Sequence, residues 1–544
     1  MILAALATLL TGGLASAQIG PDITVLKLGG EANDFQYYGQ YGGIAAYSMG
    51  TTSCNPGDVP VQWTSSDHPV IGQNFFRLKD GRFEMLGQSW LKHGFCAVNE
   101  GGCGTCQSTP CDTLGIGCAD TYWATLNDGA GGGPKWQINS TNGQHPHPYP
   151  SPSGPAAIRG RLQVAVSDID PAQNPGAVYF AEGQYISAHD ASFGNSGNNS
   201  SWRKLNVVSV SNIQGGGSTH VTEPAVFAWR SEDPAVRVSL AVNTDEGGPG
   251  IHGRYWFASR SHSLGNGMWR YVYAIENLTS EQSGGSFTVP IPSGTNVSNP
   301  YFHDVDYHSG EPYNGLDWAF SQTDTTVSWT CPETYNQNPN ANALRWGTMW
   351  SFGFDCDSAP QQVSAEIALF EPGPGSVLGA VAEGPGGIPP AGTGYCFGDG
   401  SGTFCPCLNF GWTGRGCENG TYNQGCWLTG QGVPSVSADS VVLFTDRAAP
   451  NEPGLFFQGD QQTNAGDGLV FGDGLRCASQ NVVRLQVVNS DSGGDAQTSV
   501  SLGAAGGVIP GDIARYQFWY RDPLASACGF LFNTSNGLEI TWVP

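Results

Sequence analysis

Short runs in which apolar and polar residues alternate, each closed by a turn-forming pair, recur along this chain. That rhythm has the two-residue period of a β-strand and leaves little room for helix. The clearest case is FFRLKDGRFEML, residues 75–86. Asp80-Gly81 supplies a two-residue hairpin turn, which sets Leu78 opposite Phe83 and Phe76 opposite Met85, with Arg77 facing Glu84. A second hairpin is expected in RYWFASRSHSLGNGMWRYVYAIEN, with Asn266-Gly267 at the turn and Trp269, Tyr271, Tyr273 and Ile275 on one face. Strands are also expected at RLQVAVSDID, AVYFAEGQYI, AVFAWR, VRVSLAV, SFTVPIP, VSNPYFHDVDYH and within ANALRWGTMWSFGFDCD. Towards the C-terminus GLFFQG, VVRLQVVNS, RYQFWYRDP and LEITWVP continue the series, with Leu538, Ile540 and Trp542 pointing inward. With 78 Gly and 35 Pro beside 11% aromatic residues, the composition is that of short strands joined by tight loops rather than of disorder. The expected fold class is all-β, mostly antiparallel, as β-sandwich domains with disulfide-stapled loops and little helix.

The first residues, MILAALATLLTGGLASAQ, are apolar and end in Ala15-Ser16-Ala17, a small-x-small cleavage pattern that makes 1–17 a signal peptide, although no Lys or Arg precedes the apolar core. That core is too short to span a bilayer, and no later stretch is long enough to do so. The remaining organisation reads as an N-terminal β and Cys-rich region at 18–152 and a central β-sandwich at 153–370 that packs with it as one unit or stands alone. A Gly/Pro linker at 371–394 and a Cys-rich β-sandwich module at 395–544 follow. The formal net charge of −24 excludes nucleic acid and anionic membranes as main partners and favours cations.

In an exported chain the 15 cysteines read as disulfides. Cys54, Cys96, Cys103, Cys106, Cys111 and Cys118 form an even N-terminal set. Cys331 and Cys356 are expected to pair, and seven C-terminal cysteines leave one thiol over. Cys103-x-x-Cys106 has zinc-like spacing, but stapling of a loop poor in apolar residues is the preferred reading. His145 and His147 lie in a Pro-rich loop, GQHPHPYPSPSGP, as a weak copper or zinc signal, and His93 is a lone histidine beside Trp90. The Asp-Gly of the two FGDG motifs makes a turn or, alternatively, a calcium ligand.

The densest cluster of ionisable groups is FHDVDYHSGEPYNGLDW, residues 302–318. In an extended segment Asp304, Asp306 and His308 share one face, with His303 on the other and Glu311 in the turn beyond. Two carboxylates and an imidazole suit a divalent cation such as Ca, Zn or Cu, with His303, His93 or His68 completing the shell. Glu311 and Asp317 are the candidate catalytic residues, Glu311 as general base or either as one member of a glycosidase carboxylate pair.

The runs HPVIGQNFFRLKDGRFEMLGQSWLKHGF, YHSGEPYNGLDW and NANALRWGTMWSFGFD resemble a family of large exported proteins of planctomycete bacteria. CFGDGSGTFCPCLNFGWTGRGCEN, with FGDGLRC and RYQFWYRDP, resembles a module at the C-termini of many exported planctomycete proteins. The resemblance covers nearly the whole mature chain and implies an extracellular or envelope-associated life without implying an activity. Cys426 stands where that module has a small residue, which makes it the candidate free thiol. The favoured role is an exported surface or extracellular structural or binding protein that contacts polysaccharide or another envelope component, or calcium. The alternatives are a metal-dependent hydrolase or oxidase centred on Asp304, Asp306 and His308, and a glycoside hydrolase using a carboxylate pair within 304–317. No Gly-x-Ser-x-Gly, HExxH or phosphate-cradling loop is present, which disfavours serine esterase, zincin and nucleotide chemistry.

Overall fold

The structure, a computed structural model, describes residues 19–30, 34–265, 268–305, 310–386, 391–437, 439–523 and 528–544. The expected leader and the Asn266-Gly267 turn lie outside the described residues. Strand dominates at 45% against 6% helix, so the fold is all-β, and every ladder for which a register is resolved is antiparallel. The chain divides into two compact units, one formed by residues up to Asp357 with Gln362–Pro385 and the other by Ser358–Gln361 with Gly386–Pro544.

The first unit is a stack of sheets. A three-stranded sheet holds Phe35–Tyr41, Ile44–Met49 and Leu162–Ala165. Next comes a sheet ordered Asn212–Gly215, Ser200–Ser209, Val178–Ile186, Val70–Lys79, Arg82–Gln88. A third is ordered Arg237–Gly248, Ile251–Gly265, Met268–Asn277, Thr348–Cys356, Val297–His303. The fourth is ordered Ala319–Gln322, Thr326–Thr330, Gly284–Pro290, Ala359–Leu369, Val377–Gly386. Strand alternation explains the layering. Phe75 enters the core facing the first sheet with Tyr47, Leu86 and Tyr179, while its neighbour Phe76 enters the core facing the third with Phe83, Phe180 and Met349. Likewise Tyr271, Tyr273 and Ile275 face the fourth sheet, and Val272 and Ala274 face the second. The inner two sheets are thus buried on both faces.

The hairpin at Asp80-Gly81 forms with the expected register, Leu78 against Phe83, Phe76 against Met85 and Arg77 against Glu84. Both turn residues have positive φ, 52° at Asp80 and 75° at Gly81, as a tight hairpin turn requires. Three expectations change. AVFAWR is not a strand but lies in the helix Val226–Glu232 and the residue before it. Two buried carboxylates take its first amides: Glu182 accepts from Ala225 N at 2.6 Å and Glu276 from Val226 N at 3.1 Å. RLQVAVSDID is a strand only over Leu162–Ala165, then turns into the short helix Val166–Ile169. Residues 371–394 are not simply a linker, because Val377–Gly386 is a strand of the fourth sheet. Its Ala380 and Ala382 are buried in the core there, where small side chains let a Gly-rich strand lie close.

The second unit is a smaller sandwich. One sheet is ordered Thr393–Tyr395, Gly537–Thr541, Ile513–Arg521, Pro453–Gly459, Val483–Asn489, and another holds Trp427–Gln431, Val442–Asp446 and Ala496–Gln497. Leu428, Leu443, Phe456, Phe518, Ile540 and Trp542 fill its core. Cys396–Cys477, Cys405–Cys417 and Cys407–Cys528 brace one end, and Cys426 is buried outside any bridge. In the first unit Cys54–Cys103 and Cys106–Cys118 staple the loops, so the Cys103-x-x-Cys106 pair serves two different disulfides. The expected Cys331–Cys356 bridge is not made. Cys356 lies in the third sheet opposite Trp269 and Val297, whereas Cys331 follows a strand of the fourth and donates its amide to Gly285 O. Both side chains are buried between those two sheets. Among the described residues no helix is long and apolar enough to cross a membrane.

Candidate metal centre

Three histidines far apart in sequence meet at one end of the second sheet. His68 enters the strand Val70–Lys79 through Pro69, and the two-residue strand Lys92–His93 pairs with its start, Val70 opposite His93. Gly94 N donates to Pro69 O at 2.9 Å, which holds the two histidine-bearing segments side by side. His145 arrives from the loop after the 3-10 turn Lys135–Gln137, where Asn139 N bonds Gln144 O at 2.9 Å and Gly143 N bonds Asn139 O at 2.8 Å. The ring centroids are 5.1 Å apart for His68 and His93, 4.8 Å for His68 and His145, and 5.0 Å for His93 and His145. One ligand atom from each lies within 4.8 Å of the other two.

The hydrogen bonds fix which nitrogens face inward. His68 Nδ1 donates to the Thr64 carbonyl at 2.9 Å, so its Nε2 carries the lone pair and accepts from His93 Nδ1 at 2.8 Å, a proton that a bound metal would displace. His93 Nε2 is buried without a partner and points at the backbone of Gly133, where a Cβ would sit 2.6 Å from it. Only glycine fits there. Tyr149 stacks on the His93 ring at 3.5 Å between centroids with an 11° interplanar angle. His145 Nε2 lies 3.2 Å from the His68 carbonyl oxygen, which ties the loop to the strand entry. His68 and His93 are buried and His145 half-buried. Burial pulls the His68 imidazolium below the usual histidine range, and drives that of His93 down to about 2, with His145 and His68 adding to the effect. For His68 and His93 the neutral imidazole that a metal requires is therefore the favoured form.

Those of the residues expected from sequence that are described sit elsewhere. His303 ends the strand Val297–His303, its Nε2 3.1 Å from Met85 O. Asp304 accepts from the Asn342 amide, and burial raises its pKa. Asp306 and His308 lie outside the described residues. Glu311 is in a separate cleft, 3.3 Å from Gln88 Nε2, and Asp317 is exposed. Among the described residues the three histidines are the one group of His, Cys, Asp or Glu gathered within ligand range. His68 and His93, read as helpers for Asp304, instead join each other and His145. Asp399 of the first FGDG accepts from Ser401 N at 3.0 Å and Gly414 N at 2.9 Å, which is turn chemistry. Comparison with protein-family models and with curated proteins yields no significant match to this chain.

Proposed function

We propose that this chain is an exported, disulfide-braced β-protein that binds one late first-row transition ion, copper(II) or zinc(II), through His68, His93 and His145. The observation that carries the reading is the convergence of three histidines from separate segments, with one ligand atom from each within 4.8 Å of the other two. Three imidazoles suit copper or zinc and not calcium, which takes oxygen ligands. A three-ligand centre leaves a position for water or a further ligand. Export rests on the leader-like residues 1–17, five disulfides and the acidic composition. The resemblance to exported planctomycete proteins points the same way.

The test is titration of chelator-treated full chain with Cu²⁺, Zn²⁺ and Ca²⁺, followed by calorimetry, thermal unfolding and, for copper, electron paramagnetic resonance. One equivalent of Cu²⁺ is expected to bind with a tetragonal nitrogen signature and raise the unfolding temperature, Ca²⁺ to have no effect at this site, and H145A to abolish the tight phase. Equal copper affinity in wild type and H145A would overturn the reading.

A further inference from the structure

A cleft separate from the histidine cluster opens between Gln88, the turn Lys135–Gln137, and the segments 311–315 and 342–350. Its inner recess is about 50 Å³, room for one or two water-sized groups and too small for a sugar ring. Three features define what fits. Gln88 is 6% exposed, donates its amide to Glu311 at 3.3 Å, and leaves Oε1 buried with no partner. Lys135 is 4% exposed and uses two ammonium hydrogens on Asn74 Oδ1 and Gly347 O, both at 3.1 Å. Its third hydrogen has no oxygen or nitrogen acceptor among the described residues, and the ammonium lies 5.6 Å from the centroid of the Trp346 ring. Lys135 interacts electrostatically with Glu311, and Arg345, which also lines the cleft, is paired with Glu371 at 3.2 Å, so each cation at the floor has a carboxylate partner. At the rim Trp136, 40% exposed, presents an aromatic face, while Trp346 and Trp350 form a buried apolar wall.

We propose that this cleft binds the end of a neutral polysaccharide, a hydroxyl or hydroxymethyl arm entering between Gln88 Oε1 and Lys135 while the sugar ring lies against Trp136. A hydroxyl is at once donor and acceptor and so satisfies the orphaned amide oxygen and the spare ammonium hydrogen together. An apolar tip would strand both, and an anionic or cationic one would meet a charge-balanced floor in a partly desolvated recess. The flat C–H face of a pyranose suits an exposed indole. The described lining carries one carboxylate, Glu311, where glycosidases use two, so the site is argued as a binding site. It does not depend on the metal reading.

Affinity electrophoresis of the full chain in gels containing soluble xylan, galactomannan, mixed-linkage β-glucan, dextran or, as an anionic control, alginate tests this. At least one neutral polymer is expected to retard wild type. W136A, checked for folding by an unchanged circular-dichroism spectrum, weakens that retardation about tenfold, Q88L weakens it also, and H145A leaves it unchanged. Absence of retardation by every neutral polymer, retardation by alginate alone, or equal retardation of W136A and wild type would each overturn the proposal.

Discussion

Glu281 sits where three glutamates share one arginine. Its carboxylate accepts from Ser140 N at 3.2 Å, Glu246 accepts from Gln282 N at 2.8 Å, and Glu371 takes Arg345 at 3.2 Å. Burial pushes the Glu281 carboxyl up to about 7, with Glu371 and Glu246 adding to the rise and the Ser140 amide and Arg345 opposing it. Folded, the group keeps its proton to about pH 7, and unfolded it loses it near the ordinary glutamate value of 4.5. The folded state therefore holds more protons in that window. The associated stability is fully present below pH 4.5 and is lost as pH rises through 7. At about 1.36 kcal/mol per pH unit the full shift corresponds to on the order of 3 kcal/mol, reduced to about 2 kcal/mol for the part of the side chain still in contact with water. E281Q keeps an acceptor for Ser140 and cannot ionise. At pH 7.5 it should exceed wild type by about 2 kcal/mol, or about 3 °C in a unit of several hundred residues, and at pH 4.5 the two should coincide. Thermal unfolding by circular dichroism at both pH values, read as the difference between variant and wild type, isolates this group from the buried histidines. A difference that does not change with pH, or one that favours wild type at pH 7.5, would refute the reasoning.

The ion pair of Arg77 with Glu84 at 2.7 Å is buried, and Arg77 also reaches Asp168 at 3.2 Å. R77M should cost about 3–5 kcal/mol because Glu84 is left charged and enclosed, and the double variant R77M/E84Q should recover much of it; denaturant midpoints decide. Cys96 and Cys111 are exposed, their thiols are within hydrogen-bonding reach, and Ala97 N donates to Cys111 O at 2.8 Å. Protein recovered from an oxidising compartment should carry a Cys96–Cys111 bridge, seen as a linked peptide after alkylation without reduction. Alkylation of both cysteines would count against it.

Where period-two alternation and a tight turn coincide, the sequence is enough to assign structure. Leu78, Phe83, Phe76 and Met85 pair as expected, and Tyr271, Tyr273 and Ile275 share a face. AVFAWR misleads because its residues suit a strand as well as a helix, and the choice is made by Glu182 and Glu276 arriving from other strands to take its first amides. The bridge expected between Cys331 and Cys356 is not made although both enter one core, because proximity in sequence does not fix the separation and orientation that a disulfide requires. The histidine centre was illegible as a unit. His68, His93 and His145 follow no ligand spacing, and their meeting depends on a two-residue strand and one Pro-rich loop. A signal was available only as scarcity: the chain has 10 histidines, and these three flank segments that return to the same strand end.

The second sheet's inner face is sealed by a strand that comes much later in the chain. Ser351 Oγ donates to Phe83 O across a separation of 268 residues, and Met349 N donates to Met85 Sδ at 3.2 Å. At ribosomal rates of about 5–20 residues per second, the first hairpin waits roughly 15–50 s for these last contacts, with Phe180 and Trp229 reaching Phe83 earlier. Its partners are all non-local, so early folding has nothing to close upon. A nascent chain of this kind keeps part of its aromatic strand surface open until its third sheet has been made.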